Sequence, residues 1–89
     1  MSNDEIKDFA LQFLREVYKM SENNDFPIRK YDVGNKLGFD PDKTSKIVDY
    51  LKEKQLIYEH KYEAQHAVPG NLEIAYRGKE IASVTSSID

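Results

Sequence analysis

The chain of 89 residues contains no cysteine, and no apolar run approaches the roughly 18–20 residues that a membrane span requires. Without cysteine, neither a disulfide framework nor a zinc site built on thiolates can form. The start of the chain, Met1 to Glu5, is polar and acidic, unlike the positively charged beginning of a secretory signal. These features predict a cytoplasmic protein with no membrane partner and no cofactor.

A strongly basic character is also missing, because the formal net charge is −3, from 13 basic and 16 acidic residues. Strong nucleic-acid binders usually carry a basic domain or a clear basic face. Residues 1–25 hold three basic and six acidic groups, residues 26–60 hold seven and six, and residues 61–89 hold three and four. The middle segment is therefore the only one that phosphate does not repel on average.

The sequence shows no pattern typical of catalysis or of metal binding. It has no Ser/His/Asp spacing, no glycine-rich phosphate loop and no evident pair of buried carboxylates. His60 and His66 have Glu59 and Glu63 as neighbours, but the two-residue period of a strand places both acids on the face opposite His60. A chain of this length also forms a single domain with a modest core. We expect neither an enzyme nor a metal site.

The apolar spacing predicts a long first helix over residues 4–20. Its apolar side chains recur at intervals of three and four; they are Ile6, Phe9, Ala10, Phe13, Leu14, Val17 and Tyr18. The polar run 21–25 ends this helix as a loop. Residues 26–31 contain Pro27 and are too short for more than an extended piece or a single edge strand.

Two further helices are predicted in the middle of the chain. A short one at about 32–37 is followed by Gly38, which suits the left-handed position after a helix. Asp40 as N-cap and Pro41 at the first helical position then begin a helix at 41–54. Its predicted buried stripe consists of Thr44, Ile47, Val48 and Leu51.

After this helix the apolar period changes to two, which predicts a β-hairpin. The alternating segments are 56–63 and 72–77, and the loop 64–71 between them contains the turn signal Pro-Gly-Asn. Gly78 is expected to begin a last helix at 78–84, and residues 85–89 are expected to form a flexible tail. Most of the six tyrosines are expected in an aromatic core layer, with a partner surface as the alternative. Three of them are predicted to line the hairpin face toward the first helix: Tyr58, Tyr62 and Tyr76.

This order of elements resembles the winged helix-turn-helix domains of transcriptional regulators over about residues 4–84. The best match is YDVGNKLGFDPDKTSKIVDYLKEKQLIYEHKY, residues 31–62. Its family marks are Leu37-Gly38, the turn Phe39-Asp40-Pro41, and Leu51 with Leu56-Ile57. The segment IAYRGKEIA, residues 74–82, looks like the second wing strand leading into the last helix. The resemblance implies a mainly helical α+β fold, with a three-helix core, a β-hairpin wing and a short last helix.

The chain departs from the family pattern at two positions and matches it at a third. Gln55 stands where the family usually has glycine before Leu-Ile, and Ala75 stands where many members have threonine. The family usually has a small residue where its second helix packs on the third, and Gly34 meets that need although it weakens the helix.

The resemblance further implies that helix 41–54 is a recognition helix for the major groove of DNA. On a helical wheel, Lys43 and Lys46 are expected to project from its first turns, away from the core. The candidate reading face mixes these two lysines, Ser45 and Tyr50 with acidic residues. Lysine and serine bind phosphate or base edges, whereas aspartate accepts from a cytosine amine. A solvated helix face of alternating charge is the alternative interpretation.

Other candidate DNA contacts flank this helix. Arg29, Lys30 and Lys36 are candidates for the phosphate backbone, with ordinary surface residues as the alternative. Gln65 and His66 are candidates in the wing, although a wing that enters the minor groove normally carries arginine or lysine. The wing is therefore interpreted first as a solvent loop or a protein contact.

Two functions follow from these expectations. The first is a transcriptional regulator that binds double-stranded DNA. Because one protomer offers few phosphate contacts, useful affinity is expected only from a homodimer, with the first helix as the dimer element. The second is a winged-helix module for protein–protein interaction or dimerisation without specific DNA binding.

Overall fold

A computed structural model describes residues 3–60 and 71–84, which contain four helices and one two-stranded antiparallel hairpin. In chain order the elements are α1 (Asn3–Glu22), α2 (Lys30–Lys36), α3 (Pro41–Glu53), β1 (Ile57–Glu59), β2 (Leu72–Ile74) and α4 (Tyr76–Val84). The structure is thus a mainly helical α+β fold, and its layout is compatible with a winged helix.

The first helix, α1, forms the centre of the core, as its apolar spacing predicts. It packs against α3, α4 and β2, and it also touches α2. Its stripe is buried at Ala10, Phe13, Leu14 and Val17, and half-buried at Ile6, Phe9 and Tyr18. The acids Asp4 and Glu5 lie in its first turn, where negative charge is favourable to the helix dipole.

The start and the end of α3 follow from local backbone chemistry. The Asp40 side chain accepts a hydrogen bond from the Lys43 backbone N–H at 2.8 Å, and Pro41 occupies the first turn, so both predictions are confirmed. Gly38 has φ +78°, as predicted for the residue after α2. Gln55 has φ +61°, a conformation that glycine adopts more easily, which explains why the resemblance calls for glycine there.

The N-cap gives a first testable prediction. Replacing Asp40 with alanine removes the acceptor for the Lys43 N–H, so the free energy of unfolding should fall by about 0.5–2 kcal/mol. Denaturant unfolding measures this change, with Asp40→Asn as the matched control because asparagine keeps the capping oxygen. An alanine variant with the midpoint of the wild type would show that this cap does not stabilise α3.

The helix pair α2 and α3 is joined by a close contact between Gly34 and Thr44. A Cβ atom on Gly34 would overlap with the Thr44 Oγ1 atom. Thr44 is buried, and its Oγ1 has no hydrogen-bond partner within residues 3–60 and 71–84. The small residue that the sequence places on the second helix therefore does allow the two helices to approach. The second helix itself begins at Lys30, two residues before the predicted start.

The segment before α2 joins the hairpin through a single antiparallel bridge between Arg29 and Asn71. The Leu72 N–H donates to the Ile28 carbonyl at 2.7 Å, and the Ile28 N–H donates to the Asn71 Oδ1 at 2.6 Å. Asn71 is buried, so its side chain satisfies a backbone donor that water does not reach. The predicted edge segment 26–31 thus contributes a single β-bridge, through Arg29. The sequence pattern placed Asn71 in a turn and did not predict its buried hydrogen bond with Ile28.

In the described residues the hairpin consists of two three-residue strands. Ile57 pairs with Ile74, Tyr58 with Glu73, and Glu59 with Leu72. The second strand is shorter than predicted because the chain already turns into α4 at residue 76, whereas residues 61–63 of the first predicted strand are not described. The predicted wing residues 61–70 and the predicted tail 85–89 lie outside the described residues.

The prediction that Gly78 begins the last helix is wrong. The helix α4 begins at Tyr76 and contains Gly78 in its first turn, where this glycine is buried. A Cβ atom at this position would overlap with the Leu56 carbonyl oxygen. Gly78 therefore allows α4 to pack closely against the backbone at Leu56, and its role is not to form a turn.

The predicted tyrosine layer on the hairpin is also wrong within the described residues. Tyr58 is 54% exposed and Tyr76 is 78% exposed. In β1 the residue that faces the core is Ile57, and strand alternation then directs Tyr58 to solvent. Tyr76 belongs to α4 rather than to β2, so the two-residue period does not extend to it. The third residue of this set, Tyr62, is outside the described part.

Candidate nucleic-acid interface

The outer face of α3 is the side of the helix turned away from its buried stripe. It consists of four exposed residues: Asp42, Lys46, Asp49 and Glu53. The buried stripe opposite it contains Thr44, Ile47, Val48 and Leu51, as predicted. Because three of the four outer residues are acidic, the centre of this face is negatively charged, and Lys46 is its single cation.

Lys43 does not project away from the core as expected. Its Nζ atom lies 3.3 Å from the centre of the Phe9 ring and 4.5 Å from that of the Phe39 ring. These two rings contact each other edge to face, with centroids 5.5 Å apart. A cation over an aromatic face is attracted by the ring quadrupole. Lys43 therefore joins α3 to α1 and to the turn before α3, since its half-buried side chain covers both rings.

The remaining predicted contacts on α3 occupy its two flanks. On one flank the Ser45 hydroxyl lies 3.1 Å from the Tyr31 hydroxyl, in an exposed hydrogen bond between α2 and α3. On the other flank Tyr50 is half-buried, and the Lys54 Nζ atom lies 5.7 Å from its ring centre. The structure thus brings Tyr31 and Ser45 together, a pairing that the sequence did not predict.

An open groove of about 390 Å³ runs along the Tyr50 flank. It is lined by Ile6 of α1 and, on α3, by Lys46, Asp49, Tyr50 and Glu53. The groove is shallow and mixed in charge, so it lacks the enclosed apolar walls that are typical of small-molecule sites. The groove extends the outer face of α3 toward α1, and its lining does not indicate a particular ligand.

Glu59 of β1 holds two lysines at the Ser45 flank of α3. The Lys30 Nζ atom lies 3.1 Å from Glu59 Oε2, and the Lys52 Nζ atom lies 2.9 Å from Glu59 Oε1. The Glu59 side chain is 14% exposed, whereas those of Lys30 and Lys52 are 27% and 32% exposed. The cluster therefore connects the first residue of α2, the last turn of α3 and the wing strand β1.

The ion pairs in this cluster shift the pKa values of Glu59 and Lys30. Burial favours the neutral acid, but the hydrogen bonds from Lys52 and Lys30 outweigh it and hold the pKa of Glu59 below its ordinary value. The hydrogen bond to Glu59 raises the pKa of Lys30, against a smaller opposing effect of burial. Glu59 and Lys30 are thus both charged at neutral pH. The sequence pattern did not predict the contacts of Glu59 with Lys30 and Lys52, which form where the turn after α3 brings β1 back beside the helix.

The other predicted backbone contacts are separated from this cluster. The Lys36 Nζ atom pairs with Glu16 Oε1 of α1 at 2.8 Å, and this hydrogen bond raises the pKa of Lys36. Arg29 is exposed immediately before α2. Gln65 and His66 lie outside the described residues. Of the predicted basic residues in the described part, Lys46 and Arg29 are therefore the two that are exposed and form no ion pair within that part.

Within the described residues, no group of three or more His, Asp or Glu side chains is arranged to hold a metal ion. No helix formed by these residues has the length and apolar character needed to cross a membrane. Comparison of the chain with protein-family models, with curated proteins and with solved structures finds no match. Function must therefore be inferred from the geometry around α3 alone.

Proposed function

We propose that the chain is a DNA-binding domain of a transcriptional regulator, with α3 as the element that enters the major groove. The observation that supports this most is the exposure of the outer face of α3 along the whole helix. The close approach of Gly34 and Thr44 packs α3 on α2, and the Asp40 cap fixes the start of α3. A rigid helix pair with one uncovered helix face is the arrangement that major-groove binding requires.

The charges around α3 define what kind of DNA binding to expect. Lys46 and Arg29 are exposed, and the Tyr31 and Ser45 hydroxyls can donate to phosphate oxygens. Each phosphate neutralised contributes about −0.9 to the slope of log affinity against log salt. Two cations therefore give a slope of about −2 for one protomer. We expect weak binding by a monomer, and useful affinity only when two protomers occupy neighbouring half-sites.

Reversing the charge of Lys46 tests this proposal. Lys46→Glu should weaken binding to a duplex by about tenfold or more at 50 mM salt, because it removes a phosphate contact and adds repulsion. Fluorescence anisotropy of a labelled duplex measures the affinity. Lys79→Glu is the matched control, since Lys79 is exposed on α4 and its replacement changes the net charge equally.

The same titration has two results that count against the proposal. Equal affinity of Lys46→Glu and wild type would remove the outer face of α3 from the DNA interface. No measurable affinity of the wild type at 50 mM salt would exclude DNA as the partner. Thermal unfolding of both variants near the wild-type temperature ensures that a loss of affinity reflects the contact and not the fold.

A protein-interaction module is the second candidate, and it is favoured by the pairing of lysines within the chain. Lys30, Lys36 and Lys52 already have carboxylate partners, so fewer cations face a phosphate backbone. A homodimer through α1 remains a prediction, although α3, α4 and β2 cover the apolar side of that helix. Sedimentation at micromolar concentration, with and without duplex DNA, distinguishes a dimer from a DNA-bound monomer.

A further inference from the structure

The Lys30–Glu59–Lys52 cluster has the charge arrangement of an occupied anion site. Both carboxylate oxygens of Glu59 are used, one for each ammonium group, at 3.1 Å and 2.9 Å. The two lysines approach from different helices, and both keep about a third or somewhat less of their side-chain surface in solvent. An anion arriving from solvent would therefore meet the ammonium groups, while Glu59 lies beneath them.

The cluster also lies on the part of α3 that faces a DNA backbone in the proposed function. Lys30 is followed by Tyr31, whose hydroxyl pairs with Ser45 of α3. Lys30 is also close enough to Asp49 of the outer face for that charge to contribute to its raised pKa. A phosphate that flanks α3 on this side would approach both lysines at once.

We propose that Lys30 and Lys52 form a backbone-phosphate site at the edge of α3, and that Glu59 competes for this site from within the chain. The proposal rests on the DNA-binding function above and assigns Lys52 and Glu59 a role in it. A backbone phosphate carries one negative charge shared by two oxygens, as the carboxylate does, so it can replace Glu59 as the partner of both lysines. Glu59 would then lower affinity without contacting DNA.

Removing the negative charge of Glu59 tests the competition. Glu59→Gln keeps the size of the side chain but frees both lysines for phosphate. The slope of log affinity against log salt should become steeper by up to about 1.8, and affinity at 50 mM salt should rise about fivefold or more. Glu73→Gln is the matched control, because it makes the same change in net charge on the other strand of the hairpin.

A third variant locates the effect. Combining Glu59→Gln with Lys30→Gln and Lys52→Gln should abolish the gain, since no freed cation remains at the site. Circular dichroism at the titration temperature verifies folding. If Glu59→Gln is unfolded, Glu59→Thr replaces it, because threonine is well suited to a strand and also lacks the charge.

The outcomes separate this proposal from the function on which it rests. A gain in affinity for Glu59→Gln but not for Glu73→Gln, relative to a wild type that itself binds, supports it. Binding by the wild type with equal gains, or no gain, in both variants overturns the competition and leaves the DNA-binding function in place. No binding by any variant overturns both.

Discussion

Replacing Leu51 with alanine should lower the free energy of unfolding by about 2–5 kcal/mol. Leu51 is fully buried in the stripe by which α3 packs on α1. Its truncation leaves a cavity that the neighbouring side chains fill only in part. A domain of this length has about 5–13 kcal/mol of stability in total. The variant should therefore lose a large share of its stability, and denaturant titration followed by circular dichroism measures the change.

Leu51→Met is the matched control for this experiment. Methionine conserves the volume and apolar character of leucine, so the expected loss is less than about 1.5 kcal/mol. A loss below about half a kcal/mol for Leu51→Ala would contradict the placement of Leu51 at the centre of the core. It would also place the outer face of α3 at a different angle, since the two faces of one helix are fixed relative to each other.

Replacing Gly34 with alanine should destabilise the protein by about 1–3 kcal/mol, although alanine is the better helix former. The added methyl group would overlap with the Thr44 side chain, whose Oγ1 is the nearest atom. Asn35→Ala is the matched control, because Asn35 is exposed on the same helix and its replacement meets no such obstacle. Unfolding free energies of the two variants should therefore change in opposite directions.

A second substitution shows whether the overlap is the cause. Thr44→Ala removes the obstructing Oγ1, an atom without a hydrogen-bond partner in the described part of the chain. The double variant Gly34→Ala with Thr44→Ala should recover at least about 1 kcal/mol relative to the sum of the two single changes. Additive losses would mean that the overlap with Thr44 is not the cause of the destabilisation.

The helical part of the fold was predictable because its signals are local. The apolar stripe of α1, the Asp40 cap and Gly38 each depend on residues close in sequence. The hairpin was predicted less well, because strand length and facing depend on partners far along the chain. Tyr58 continued an apolar alternation, yet Ile57 packs in the core instead. Gly78 has its reason in the distant Leu56 carbonyl, which no local pattern reveals.

The sequence predicts where the candidate site lies on α3, but it does not predict which of its lysines already have partners within the chain. Helical periodicity correctly separates the buried stripe of α3 from its outer face. It does not show which lysines are already bound, since Lys30 and Lys52 meet Glu59 only after β1 folds back. Lys43 likewise meets Phe9 of α1 across 34 positions of sequence. Composition therefore overestimates the number of cations that a phosphate backbone can meet.

The Lys43 side chain packs over two aromatic rings. This position of α3 therefore cannot change freely when the protein evolves to bind a new partner. Any side chain that replaces it must still cover Phe9 and Phe39, so this position is constrained by the fold. The positions of α3 that can change with little effect on stability are then confined to the exposed outer face. Related sequences should accordingly vary most along the outer face of α3, while a long, positively charged side chain is retained at position 43.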